Sequence, residues 1–295
     1  MKRDQLMPYV YKVEGPVNMA LYDFLKGHFY QIPLEGTEIE ELREFLLKEE
    51  LIFETDGIVP TKIMTDDMAE TQNTIHLRVL QIRVNGTGED NCWNRAPKNR
   101  IKQYIKNDVL DNLKRNCRFI PIKRIRIEAQ TDDYDNIGYI LKEFEHQEVE
   151  LYVREGIEPG IKERYKELCN HGRILFLENG RQPIKELKAT IFNFFYSKFF
   201  NPCLGQQVAV DTGGEIKCCL WSDDVLGNIG GNNLKDMIIE GKFDKYWEIT
   251  KSNIDVCKHC ELRCACSDCR VAAVTETGNL YAKPPYCDYD PFKGI

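Results

Sequence analysis

Nine of the twelve cysteines in this chain lie between residues 203 and 287, and their spacing limits what the chain can fold into. Seven of the nine recur at intervals typical of metal ligands, in the order Cys203-x14-Cys218, Cys257-x2-Cys260-x5-Cys266-x2-Cys269 and Cys287. A Cys-x2-Cys pair suits a metal because one tight turn presents both sulfurs to the same ion or cluster edge. One such pair is common, whereas seven cysteines in this order indicate a metal-binding domain.

The surroundings of the cysteines argue against a disulfide framework. The first residues, MKRDQLMPYV, contain no apolar export segment and no cleavage site of small residues, so we expect a cytoplasmic protein. No apolar run is long enough to predict a membrane span. Since the cytosol keeps thiols reduced, the cysteines predict metal or Fe–S ligation. The net charge of -7 argues against general binding to DNA or RNA.

The chain of 295 residues is long enough for two or three domains, and its pattern divides into three segments. Residues 1–70 predict three short strands, a helix with a capping box at Thr37 and Glu40, and a further strand. Residues 74–190 alternate strands and helices, which predicts a parallel sheet with helices outside it. About four such units are too few to close an eight-stranded barrel, so we expect a partial barrel or a small open sheet.

The third segment, residues 191–295, is the cysteine domain. Its strands QVAVD and EIKCCLW meet at Thr212-Gly213-Gly214, which favours a hairpin turn, and a helix is predicted near LKDMIIEGKFDKYW. The fold class is therefore a multidomain combination of α+β and α/β parts. The three remaining cysteines, Cys92, Cys117 and Cys169, are predicted to be buried small apolar residues.

The cysteine pattern resembles the SPASM domain, the C-terminal extension of peptide-modifying radical SAM enzymes. One interval differs, because Cys266-x2-Cys269 stands where that family usually has three intervening residues. The wider segment from FDKYW through VCKHCELRCACSDCR to YAKPPYCDYDP looks like the SPASM-domain maturases of grasp-with-spasm systems, over residues 190–292. In the first segment, LYDFLKGHFYQIP followed by an acidic helix is similar to the winged-helix-like modules that recognise leader peptides.

The resemblance implies two 4Fe–4S clusters. It assigns three cysteines to an inner cluster and four to an outer one: Cys203, Cys218 and Cys269 to the first, and Cys257, Cys260, Cys266 and Cys287 to the second. Relatives often complete the inner cluster with an upstream cysteine, but this chain has Tyr196 and Ser197 there, so we expect an open iron. Cys264 and Cys219 are spare candidates, and Cys219 is expected to pack inward because it follows Cys218 on a strand. Zinc stays an alternative, since four thiolates bind it as readily as iron.

Radical SAM enzymes hold their catalytic cluster on Cys-x3-Cys-x2-Cys after the first barrel strand, and this motif is missing here. The equivalent loop, NGTGEDNCWNRAPKN, offers only Cys92. The resemblance therefore implies a degenerate, partial radical SAM-like (β/α) barrel over residues 74–190, with no site for SAM. The sequence shows no Walker A motif, no Gly-rich dinucleotide turn and no Ser-His-Asp order, so it leaves the catalytic residues unknown.

The function that the resemblance implies is maturation of a ribosomally made peptide. The chain is expected to bind the leader region of a precursor peptide, which adds a strand to the sheet that contains HFYQI, and to work with an ATP-grasp ligase. Whether it is an enzyme stays open, since a non-catalytic adaptor with structural metal sites fits the same residues. Residues 95–126 carry eleven Lys or Arg against two Asp, a net charge of +9, which predicts either solvated faces or a patch for an acidic partner.

Overall fold

A computed structural model describes residues 3–56, 62, 64, 77–86, 103–118, 120–129, 134–144, 147–153, 174–177, 186–187 and 189–295. The chain divides into two compact units. The first unit contains residues 1–74, 184–203 and 248–295, and the second contains residues 75–183 and 204–247. The N-terminal segment therefore lies in the same compact unit as most of the cysteine segment. The boundaries of the three domains predicted from the sequence remain predictions.

The elements are numbered along the chain. The strands are β1 Arg3–Leu6, β2 Val10–Glu14, β3 Asn18–Asp23, β4 His28–Pro33, β5 Ile52–Thr55, β6 Leu77–Arg83, β7 Asn85–Gly86, β8 Gln103–Tyr104, β9 Ile122–Ala129, β10 Glu148–Val153, β11 Ile174–Leu177, β12 Glu186–Leu187, β13 Gln207–Val210, β14 Glu215–Lys217, β15 Gly227–Asn228 and β16 Cys266–Ser267. The helices are α1 Ile39–Lys48, α2 Asn107–Cys117, α3 Tyr134–Glu143, α4 Ile191–Phe199, α5 Leu234–Ile239, α6 Asp244–Trp247 and α7 Arg270–Thr277. Among the described helices, none is long and apolar enough to cross a membrane.

The first unit is built on an antiparallel sheet with the order β2-β3-β4. Residues on alternate positions of a strand face opposite sides, so the apolar run of β3 can bury both of its faces. Leu21 packs with Val10, Ile32 and Leu51 on the side that α1 covers. Ala20 and Tyr22 pack on the other side, in a core shared with α4 and the cysteine segment through residues Phe194, Phe195, Leu262, Cys264 and Ala265.

The first unit confirms the predicted strands and helix of the N-terminal segment, but the predicted capping box is wrong. The helix begins at Ile39 with Glu38 as its N-cap. Thr37 precedes the N-cap, which is the position whose side chain can accept a hydrogen bond from the free N–H groups of the first turn. The predicted turn before His28 is present, with Gly27 at a φ of 66°. The described part of residues 1–70 contains five strands and one helix, and the winged-helix likeness remains a prediction.

The second unit contains a seven-stranded sheet with the order β11-β10-β9-β6-β13-β14-β15. The neighbours from β11 to β13 are parallel, and α2 and α3 connect β6 to β9 and β9 to β10. This confirms the predicted βα alternation and parallel sheet within the described residues. The predicted helix at 160–172 lies outside those residues.

The predicted hairpin is also present. Strands β13 and β14 pair antiparallel, the Asp211 carboxylate accepts the N–H groups of Gly213 and Glu215 at 3.0 Å each, and Gly214 has a φ of 82°. The single helix predicted near LKDMIIEGKFDKYW is instead two short helices, α5 and α6. Gly241 separates them because it takes a left-handed conformation, with a φ of 69°, that stops a helix.

One side of the parallel sheet in the second unit carries buried polar side chains. Arg126 of β9 and Glu150 of β10 lie directly opposite each other in the strand pair, and their side chains pair at 2.8 Å. Arg124 adds a second contact to Glu150 at 2.9 Å. The opposite side presents the buried apolar positions Leu80, Ile82, Ile125, Ile127, Val149 and Leu151. The polar side is therefore held by paired charges, since an unpaired buried charge is strongly destabilising.

We predict that Glu150→Gln destabilises the protein by about 3–5 kcal/mol, because it leaves the buried Arg126 guanidinium without its carboxylate. The measurement is the free energy of unfolding in urea. Glu14→Gln is the matched control, since the Lys12–Glu14 pair is exposed and should contribute little. Equal stability of the two variants would contradict the prediction.

The same pair predicts a pH dependence. Burial opposes ionisation of Glu150, but the charges of Arg126 and Arg124 outweigh it and hold the pKa of Glu150 below its usual range. The stabilising contribution of Glu150 is therefore complete at neutral pH and is lost as the pH falls through the lowered pKa. Glu150→Gln should flatten the acid limb of the stability curve.

Candidate metal centre

The cysteine segment of the first unit consists mostly of turns. Cys257 and Cys260 stand at the two ends of one turn, in which the Cys260 N–H donates to the Cys257 carbonyl oxygen at 3.0 Å. Cys266 lies on the short strand β16, opposite Leu187 of β12. Cys287 closes another turn, with its N–H on the carbonyl oxygen of Pro284 at 3.0 Å. Three separate stretches of backbone thus carry the four cysteines toward one region.

The four cysteines assigned to the outer cluster line one cavity. Its volume is about 30 Å³. Its other lining residues are Lys251, Val256, Arg263, Lys283, Pro284, Tyr289 and Pro291. The structure thus brings Cys257, Cys260, Cys266 and Cys287 together, and their role as ligands remains a prediction. Across the described ranges, no group of three or more His, Cys, Asp or Glu side chains is placed to hold a single metal ion.

The residues around this outer cavity fit an anionic thiolate centre. Three of the lining side chains are cations, from Lys251, Arg263 and Lys283, and none of the lining residues is Asp or Glu. Burial raises the pKa of the Cys257 thiol to about 11 and that of Cys260 to about 12. Thiols with such pKa values hold their protons at neutral pH, so a metal that binds them must displace the protons.

The inner set is distributed over both units. Cys203 and Cys269 belong to the first unit, where the negative charge of either thiolate would raise the pKa of Tyr286, which burial already raises. The Cys269 N–H donates to the Tyr286 hydroxyl oxygen at 2.6 Å, and the Cys269 sulfur accepts the Ala272 N–H at 3.4 Å as the N-cap of α7. Cys218 is fully buried in the second unit. A site formed by all three sulfurs remains a prediction.

The two spare cysteines are buried. Cys264 belongs to the core that Tyr22 shares with α4, and it does not line the outer cavity. Ser197, in the region where relatives have a further cysteine, donates its hydroxyl to the Cys264 carbonyl oxygen at 3.2 Å. Cys219 is buried, as predicted, although its neighbour Cys218 is buried too. Cys117 is buried as predicted, and burial raises its pKa to about 12.

Part of the sequence interpretation falls on residues that the structure does not describe. Cys92, Cys169 and residues 87–99 of the loop that corresponds to the SAM-cluster loop of radical SAM enzymes lie outside the described residues. Among the described residues of the basic segment, Lys114 pairs with Glu143 at 2.7 Å, Arg124 with Glu148 at 3.0 Å, and Arg126 with Glu150. Pairing lowers the net positive charge that this part of the segment can offer an acidic partner.

Sequence reasoning missed the charged residues next to the outer cavity. Lys251 follows Thr250 in a short turn with no pattern that points to a metal, so no signal in the sequence could have found it. Asp268 and Arg270 flank Cys269 directly, and charged residues inside a cysteine motif are a weak signal that was available. Glu261, next to Cys260, was also missed, and its carboxylate accepts hydrogen bonds from Tyr289 and from Gln31 of β4, the latter at 2.9 Å.

The first unit also has an open strand edge. Strand β4 pairs with β3 alone, and the Leu34 N–H bonds to the Val17 carbonyl oxygen at 2.9 Å. Because hydrogen-bonded positions alternate along an antiparallel pair, Ile32 and Tyr30 bond to β3, while Phe29 and Gln31 direct their backbone groups to the open side. Among the described residues, no backbone group is hydrogen-bonded to that side of β4.

Comparison with known proteins finds no matching family model and no matching curated protein. Among solved structures, BtrN in an open conformation matches with a TM-score of 0.37 and 15% identity, covering 62% of this chain and 92% of that one. SuiB of Streptococcus suis, bound to its precursor peptide SuiA, matches with a TM-score of 0.36 and 10% identity, covering 97% of this chain and 100% of that one. Scores this low do not show a shared fold.

We predict that Cys260→Ala loses the metal of the outer cavity, whereas Cys264→Ala keeps it. Both changes remove one thiol from the same stretch of chain, but only Cys260 lines the cavity. The measurement is metal content per chain after anaerobic purification. Equal metal content in the two variants would show that the cavity does not bind the metal.

Proposed function

We propose that this chain is an iron–sulfur protein that takes part in the maturation of a ribosomally made peptide. It binds the leader region of the precursor, holds two 4Fe–4S clusters on its cysteines, works with an ATP-grasp ligase and does not cleave SAM. The observation that carries the proposal is the cavity lined by four cysteines, within the same unit as an open strand edge. A metal centre and a peptide-binding edge are the two parts that this function needs.

The outer set supplies a complete ligand shell. Four thiolates satisfy a 4Fe–4S cluster, and a centre held in this way stabilises the turns that carry its ligands, since metal binding contributes folding free energy. The inner set offers three thiolates, which leaves one iron position for water, substrate or another side chain. When bound, such clusters supply one-electron transfer or, at an open iron, Lewis-acid chemistry.

The edge of β4 supports peptide binding by strand addition. The open backbone groups of Phe29 and Gln31 would pair with an extended leader peptide, which provides affinity without reading its sequence. Apolar side chains lie beside this strand for the alternate peptide side chains to contact. Tyr30 packs on Phe45 of α1 at 5.8 Å between ring centroids, and Phe45, Leu34 and Ile39 are exposed.

The strand edge and the metal cavity are connected through Glu261. Gln31 of β4 donates to the Glu261 carboxylate at 2.9 Å, Tyr289 donates to the same oxygen, and Glu261 directly follows Cys260. Tyr289 itself lines the cavity. A leader bound at β4 would therefore lie two side chains away from the outer ligands.

A second candidate function is a non-catalytic adaptor that presents the peptide to the ligase. The closed set of four cysteines favours it, because complete thiolate shells are typical of structural metal sites, whether zinc or iron–sulfur. Under this function the chain needs the strand edge, and the metal serves only stability. An iron-loaded chain whose peptide-modifying activity survives replacement of Cys203 would favour the adaptor.

We predict that Gln31→Pro weakens leader binding at least tenfold, because proline removes the outward N–H of β4 and its ring blocks strand pairing. Gln31→Ala is the matched control, since it loses the same contact with Glu261 but keeps the N–H. The measurement is fluorescence anisotropy of a labelled precursor leader. Equal binding by both variants would exclude this edge, and Lys12→Pro would then test the opposite edge, β2.

The absence of the three-cysteine motif from the sequence predicts that the chain does not convert SAM to 5′-deoxyadenosine. The test is anaerobic reconstitution with iron and sulfide, reduction, and chromatography of the products against a control without protein. Formation of 5′-deoxyadenosine above that control would overturn this part of the proposal.

A further inference from the structure

A group of three buried charges lies beside the outer cavity. Lys251 is 2% exposed, while Asp268 and Arg270 are fully buried. The Lys251 ammonium contacts the Asp268 carboxylate at 2.9 Å, and Arg270 pairs with the same carboxylate. The group therefore contains two cations and one anion, which leaves one positive charge in the interior.

The surplus charge is located at Lys251. Arg270 has several acceptors, because besides Asp268 its Nη1 donates to the carbonyl oxygens of Leu280 at 2.9 Å and Ala282 at 2.8 Å. Lys251 has the shared Asp268 on one side, and on the other it lines the cavity together with the four cysteines. Its unshared positive charge thus faces the thiols.

Asp268 is shared between two buried cations, so the group holds less negative charge than its cations require. A buried charge without a full counter-charge is costly. Four thiolates bound to a metal change the balance, because their negative charges outnumber the positive charges of a zinc ion or of an oxidised 4Fe–4S core. Either centre would therefore be an anion beside Lys251 and would supply the counter-charge that this group lacks.

We propose that Lys251 is a positioning residue for the outer metal centre, whose ammonium group, held by Asp268 and Arg270, provides the counter-charge for the bound thiolates. This role rests on the proposed function, in which the four cysteines ligate a metal. It applies equally to an iron–sulfur cluster and to zinc, since both centres are anionic. It distinguishes Lys251 from Arg263, whose guanidinium donates to the carbonyl oxygens of Glu14 and Cys260.

A purely structural ion pair makes a different prediction from a counter-charge. If Lys251 only formed an ion pair with Asp268, removing its charge would destabilise the protein whether or not metal is bound. If Lys251 is a counter-charge, Lys251→Met leaves a neutral Asp268–Arg270 pair in the metal-free protein and causes loss only when metal is bound. The change in stability of the metal-free protein therefore distinguishes a structural ion pair from a counter-charge.

The experiment compares wild type with Lys251→Met, Lys251→Arg and Lys258→Met. Lys258 is the matched control, because it lies between two ligands but is exposed, and it pairs only with Asp255 at 3.4 Å among the described contacts. Each protein is prepared metal-free and then loaded either with iron and sulfide under anaerobic conditions or with Zn²⁺ alone. The measurements are the melting temperature in each state and the rate of metal loss to a chelator.

We expect metal-free Lys251→Met to melt at or above the temperature of wild type. Once loaded, it should melt below wild type and lose metal roughly tenfold faster, the usual scale for a residue that supports metal ligands. Lys251→Arg should recover most of the retention because it keeps the charge. Lys258→Met should behave as wild type, since water and salt screen an exposed charge.

The iron-loaded proteins provide a second readout. Reduction adds negative charge to the cluster, and a nearby buried cation favours it, so Lys251→Met should shift the midpoint potential to more negative values. Lys258→Met should leave the potential near that of wild type. A redox titration followed by electron paramagnetic resonance measures both.

The role is overturned if Lys251→Met retains metal at the wild-type rate in both loadings. It is also overturned if the variant loses as much stability metal-free as loaded, or fails to fold without metal, because each result indicates a structural ion pair. Wild-type protein that takes up neither iron nor zinc would instead contradict the proposed function, and this role with it.

Discussion

The cysteine segment depends on the meeting of four thiols at one cavity. Residues 248–295 contain little regular structure: two short turns of 3₁₀ helix, a two-residue strand and the helix α7. Turns of this kind form few backbone ladders, so side-chain contacts must order them. Cys257 and Cys260 share one turn, whereas Cys266 lies on β16 and Cys287 in a later turn, and a group bound to all four would fix these stretches relative to one another.

The same segment completes the N-terminal sheet. Ala20 and Tyr22 are buried against Leu262 and Cys264, and the Tyr22 hydroxyl donates to the Glu261 carbonyl oxygen at 2.8 Å. The cavity lies on one side of this stretch of chain and the sheet on the other. Removal of the N-terminal residues would therefore expose a shared core, which is why single substitutions at the edge of β4 test peptide binding more cleanly than a truncation.

The sequence predicted those features that local pattern determines. Cysteine spacing selected seven candidate ligands, among which the resemblance to the SPASM domain grouped the four that line the cavity. The alternation of strand and helix patterns predicted the parallel sheet between β6 and β11. The Gly-rich turn before Glu215 predicted the hairpin. In each case the signal lies within a short stretch, so periodicity or turn chemistry suffices.

Other features depend on contacts between distant residues. The apolar sequence of β3 does not indicate which residues Tyr22 packs against. Its packing on Phe194 and Cys264 in the shared core could therefore not be predicted. The charge of Lys251 is paired with Asp268, seventeen residues further along the chain. Only folding brings them together beside the cavity. The capping box failed for a local reason, because the backbone places Glu38, and not Thr37, at the N-cap of α1.

The central claim is that the cysteines hold two iron–sulfur clusters. The most direct test is metal and acid-labile sulfide analysis of the anaerobically purified full chain, together with its absorbance spectrum. We predict about eight iron and eight sulfide per chain, since two 4Fe–4S clusters require them, with broad visible absorbance from sulfur-to-iron charge transfer. A colourless protein with stoichiometric zinc and no sulfide would contradict the claim.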